Sequence, residues 1–199
     1  MNDIAILIDC WETWLSKFKI PFDYDYILFN KIKKFVESND NIKTIILATY
    51  DSIDESNTIW HANSLKLLGE ELYNNKNILA NVDPKSFQRT DKIILNWSSK
   101  KQQIAMHYPW EFEMFIKNNQ IDNIYMCGGA MDICVRVRPL GYESLFNIIQ
   151  KYNLNTHILL KEDCVNDSKG KIFKLEDYPG WSSTGVEGIF KLTALSSIG

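Results

Sequence analysis

Two patterns of apolar positions alternate along the chain. Residues 4–8 and 44–49 are short, continuously apolar runs, as expected of strands buried on both faces of a parallel sheet. Residues 103–107, 123–127 and 156–160 repeat that pattern. Between them, residues 26–38 place Ile27, Phe29, Ile32, Phe35 and Val36 near a 3.6-residue period, which predicts a helix with one buried stripe. Residues 63–74, 110–119 and 142–151 also read as helices, the second stopped by an Asn-Asn pair suited to a left-handed cap. A further helix starts at Met131 and breaks near Pro139. The stretch 77–101 is ambiguous: NILANV suits a short strand, and TDKIILNW suits a strand or a helix capped by Thr90. Beyond Lys171 the pattern loosens into a GWSSTGVEG loop and a closing helix over 186–195. Strands alternating with helices predict an α/β fold, a three-layer sandwich with a mostly parallel central sheet and a Rossmann-like build. No repeat, low-complexity tract or linker interrupts the chain, so residues 1–199 are expected to form a single domain.

Composition narrows the function classes. A hydrophobic share of 45% with 13% aromatic residues supplies a core, so a disordered chain is excluded. A net charge of −3 with Arg only at 89, 136 and 138 leaves no basic footprint, so nucleic acid is not an expected partner. No apolar run reaches the roughly 18–20 residues of a membrane span, and the opening MNDIAILIDCWETW lacks the basic and apolar regions of a signal peptide. The expectation is a cytoplasmic chain without a membrane partner. The four cysteines (10, 127, 134 and 164) form no CxxC pair and, with three histidines, suggest free thiols rather than a zinc site.

Chemistry concentrates where the strands end. In open α/β sheets ligands bind outside the carboxyl ends of the strands. Asp9, Asp51, His107 and the pair Gly128–Gly129 fall at those ends. In YMCGGAMDICV (residues 125–135) a strand runs into two glycines and then a helix, with Cys134 in the first turn. A helix N-terminus presents unpaired amides and partial positive charge. Such a setting favours the reactive thiolate, and the same amides can hold an oxyanion. The plainer alternative is a core cysteine after an ordinary βα turn. Asp9, a carboxylate ending an apolar strand, suits an acid/base partner to that thiol.

These segments resemble the isochorismatase-like cysteine hydrolases, the group of nicotinamidases, isochorismatases and N-carbamoyl amide hydrolases. AILIDCWETW is similar to the family's opening strand, IILATYDS to its second strand with Asp51, and CGGAMDICV to its Gly-x-x-Thr-x-x-Cys-Val. HILLKED, ending in Asp163, matches a later strand, so the resemblance spans about residues 4–164. It implies an isochorismatase-type fold, Cys134 as nucleophile and Asp9 as base. It also implies a cis peptide at Gly129–Ala130, oxyanion amides from Ala130 and Cys134, and a homo-oligomer, dimer or tetramer. The triad's third member is a Lys in the family. Here the strand end supplies His107, while an ungapped count back from the glycines reaches Lys101. An imidazole titrates near neutral pH and suits the role.

The chain departs from the family at two points: Met131 replaces the motif Thr, and Trp11 replaces a Gln. Trp14 sits where an aromatic walls the pocket. Trp11, Trp60, Tyr108 and Trp110 lie near the same strand ends, and Trp11, Trp14 and Tyr108 are the expected pocket lining. Arg136 and Arg138 suit an acidic substrate group or a helix surface or interface. No cofactor is expected. Asp51 has His61 alone within reach, too few ligands for a metal, and neither a GxGxxG nor a Walker pattern appears. Two functions follow: a hydrolase acting on a small amide or related carbonyl substrate, or a silent homologue of that fold serving as a binding or scaffold protein.

Overall fold

A computed structural model describes residues 2–8, 22–48, 101–106, 109–167, 171 and 173–195. In chain order its elements are β1 (Asp3–Ile8), α1 (Phe22–Ser38), β2 (Ile42–Ala48), β3 (Gln102–Met106), α2 (Pro109–Asn118) and β4 (Asn123–Gly128). They continue with α3 (Cys134–Val137), α4 (Tyr142–Lys151), β5 (His157–Val165), a 3-10 turn (Leu175–Asp177), β6 (Trp181–Ser183) and β7 (Ile189–Leu192). The helix and strand readings over 63–74 and 77–100 lie outside the described residues.

The strands form one sheet in the order β3-β2-β1-β4-β5-β7-β6. The first five are parallel; β7 runs antiparallel to β5, and β6 antiparallel to β7. All six residues of β1 are buried, as the apolar run requires of a central strand. Connection handedness sets the layers. The step from β1 to β2 moves one way along the sheet, and the steps from β3 to β4 and β4 to β5 move the other. Right-handed crossovers then put α1 on one face and α2 and α4 on the other. Side chains agree: Phe35 of α1 meets the Tyr125 ring edge-on, while Tyr152, just after α4, donates to Glu113 of α2 at 2.6 Å. The fold is α/β with a mostly parallel sheet. No helix among the described residues is long and apolar enough to cross a membrane.

Two expectations need correction. The closing helix over 186–195 is instead β7, and the loop before it contains β6. Gly185 and Gly188, at φ of 84° and 65°, turn the chain into a hairpin. Its second strand pairs with Leu159–Lys161 and covers the open edge of β5. That long-range pairing leaves little local signal. In addition, β5 runs on past residue 160 to Val165.

At the amino edge of the sheet Asp3 is fully buried. Its Oδ1 accepts from Asn123 Nδ2 at 2.9 Å, while Oδ2 has no partner among the described residues. Burial pushes this carboxyl above its ordinary value, against the opposing Asn123 bond. A raised folded-state pKa contributes stability at low pH that is lost as pH rises. Wild-type stability measured against Asp3→Asn is therefore expected to fall as pH rises above about 4. Urea midpoints of both proteins across pH test this, and a wild-type midpoint that rises with pH relative to that of Asp3→Asn would contradict it.

Candidate active site

The switch in winding direction occurs at β1, which has β2 on one side and β4 on the other. Open α/β sheets form their ligand crevice at this point, outside the carboxyl ends. Ile8, the last residue of β1, pairs with Gly128, the last of β4. The Gly129 amide donates to the Ile8 carbonyl at 3.2 Å, tying the strand ends together. Asp9 follows Ile8 in the sequence and lies outside the described residues, as do Trp11, Trp14, Asp51, Trp60, His61, His107 and Tyr108. Met106 ends β3 at the carboxyl edge, two strands and about 10 Å from the end of β1.

The turn after β4 explains both glycines. Gly128 has a φ of 118°, which a side chain disfavours. A Cβ on Gly129 would stand 2.3 Å from Asn166 Oδ1. The Gly129–Ala130 peptide is cis, where the resemblance implies one. The Ala130 carbonyl accepts from the amides of Ile133 (3.1 Å) and Val135 (3.0 Å), which winds the chain into α3 with Cys134 as its first residue. Cys134 is 3% exposed. Ala130, Met131 and Val135 are fully buried, so Met131 packs into the core.

Lys101 lies elsewhere. It precedes β3 at the amino edge, and its Nζ donates to the carbonyls of Asn39 (2.7 Å) and Ile42 (2.8 Å). Cys127 and Cys164 are buried. Arg136 is paired through Nε with Glu143 of α4, and Trp110 is exposed on α2. Asp163 bonds Lys161 Nζ at 2.7 Å within β5, which holds its carboxyl below the usual range. Among the described residues no group of three or more His, Cys, Asp or Glu is arranged to hold a metal.

Sequence reasoning missed Asn166. This residue follows β5 beside the Cys134 turn and is 1% exposed. The one signal pointing to it is a polar residue directly after an apolar strand end.

Neither a family model nor a curated protein matches the chain. Among solved structures, it is similar to the nicotinamidase/pyrazinamidase of Bacillus subtilis. The TM-score is 0.45 and the identity 16%, over 85% of this chain and 90% of that one.

Proposed function

We propose that the chain is an isochorismatase-like cysteine hydrolase that cleaves a small amide or related carbonyl substrate. The observation that carries this reading is the Gly129–Ile8 hydrogen bond. It fixes the Cys134 turn against the strand that leads into Asp9, at the switch point of the sheet.

In this reading the Cys134 thiol gives its proton to Asp9, and Sγ attacks the substrate carbonyl carbon. The amides of Ala130 and Cys134 hold the resulting oxyanion. The C–N bond breaks as Asp9 returns the proton to the departing nitrogen, leaving a thioester on Cys134. Water, deprotonated by Asp9, then attacks the thioester and releases the acid and the thiol. His107 is the third member: it follows a strand end at the carboxyl edge, whereas Lys101 is held at the amino edge by two backbone carbonyls. Trp11, Trp14 and Tyr108 wall the pocket. The reading needs no cofactor, and it goes with an oligomeric cytoplasmic protein of one domain.

The buried Met131 favours a second reading, a silent binding homologue, because it removes a hydroxyl from the turn. Ammonia release from a panel of small primary amides, nicotinamide and pyrazinamide among them, separates the two. Turnover of at least one amide is expected; no turnover of any amide, ester or carbamoyl compound supports the silent homologue.

A further inference from the structure

The geometry points to Asn166 as a positioning residue for the turn that carries Cys134. Three parts of Asn166 bear on that turn. Its amide donates to the Gly128 carbonyl at 3.4 Å, and its carbonyl accepts from the Met131 amide at 2.6 Å. The main chain of Asn166 therefore brackets residues 128–131 from both ends. Its side chain fills the space beside Gly129: the three atoms nearest a Cβ built there are Asn166 Oδ1, Cγ and Nδ2, at 2.3, 3.2 and 3.5 Å. The buried Oδ1 has no partner among the described residues. An acceptor left unpaired on burial is costly, so an apolar residue would be the cheaper filler. Polar groups retained at such a cost cluster at functional sites.

The consequence runs through Ala130. Its carbonyl anchors the amides that start α3, so movement of residues 129–131 moves the Cys134 backbone and thiol. Placement errors near 1 Å cost roughly 100-fold in rate. For this catalytic consequence the inference rests on the hydrolase reading; the mechanical part does not.

The test combines Asn166→Ala, Gly129→Ala and the double variant. Readouts are amide hydrogen exchange of the 129–135 segment, and kcat and KM for the best amide of the panel. Asn166→Ala is expected to speed exchange in that segment and lower kcat about tenfold or more, with KM within about twofold. Gly129→Ala alone is expected to act in the same direction but more strongly, lowering kcat about 100-fold, because its Cβ overlaps Asn166 Oδ1. Adding Asn166→Ala to Gly129→Ala removes all three close contacts and is expected to restore exchange and kcat toward the Asn166→Ala level. Unchanged exchange in both single variants, or a double variant with no recovery, overturns the inference. Coupled exchange in a protein that turns over no amide overturns the hydrolase reading and leaves the positioning role standing.

Discussion

Replacing Cys134 by serine is expected to lower amide turnover by at least about 10⁴-fold while the protein stays folded. Loss of a covalent nucleophile removes every later step, and in enzymes of this kind it costs about as much as loss of the whole catalytic set. The substitution is nearly isosteric, and Cys134 sits at the start of a short helix whose backbone bonds run through Ala130 and Arg138. Those bonds need no side chain, so packing changes little. A serine hydroxyl titrates far above a thiol and is a poor nucleophile without a base tuned to it. Ammonia release and a thermal melt on the same preparation check both parts. A folded Cys134→Ser protein with wild-type turnover would remove Cys134 from the mechanism.

Asp9→Asn is expected to lower kcat by about 10²–10⁴-fold, the usual contribution of a positioned general acid or base. The amide keeps the shape of the carboxylate but cannot take the thiol proton or return it to the leaving nitrogen. In the proposed mechanism Asp9 moves protons and does not hold substrate, so KM should move little. The acidic limb of the kcat/KM profile should also disappear, because that limb reports the essential base in the free enzyme. A variant with lower turnover but an unchanged acidic limb would assign the base to another group, with His107 the first to examine. An unchanged kcat would leave Asp9 a structural residue.

Legibility in the sequence varied with how far each feature depends on distant contacts. Ile4–Ile8 and Ile124–Cys127 were readable because central parallel strands are apolar on both faces, and those residues are buried or half-buried in the sheet as expected. The Gly-Gly turn before Cys134 was readable because a backbone with positive φ at Gly128 demands that composition. The hairpin β6–β7 was not, since its strands are short and are stabilised by pairing with β5 rather than by local pattern. Lys101 and His107 could not be separated by counting residues; the start of β3 at Gln102 puts Lys101 at the amino edge, and the strand ends with Met106 at the other. Asn166 escaped notice because its partners, Gly128, Gly129 and Met131, belong to a neighbouring strand and turn. Asp3 precedes the apolar run of β1, and only the three-dimensional sheet shows that it is completely buried.

The most direct measurement is the rate at which iodoacetamide alkylates each cysteine at neutral pH, resolved by mass spectrometry of the peptides. An activated nucleophile at the start of α3 should label at least about tenfold faster than Cys10, Cys127 and Cys164, with a rate that falls on acidification as the thiolate is lost. Uniformly slow labelling of all four, with Cys134 no faster than the buried Cys127 and Cys164, would contradict the account.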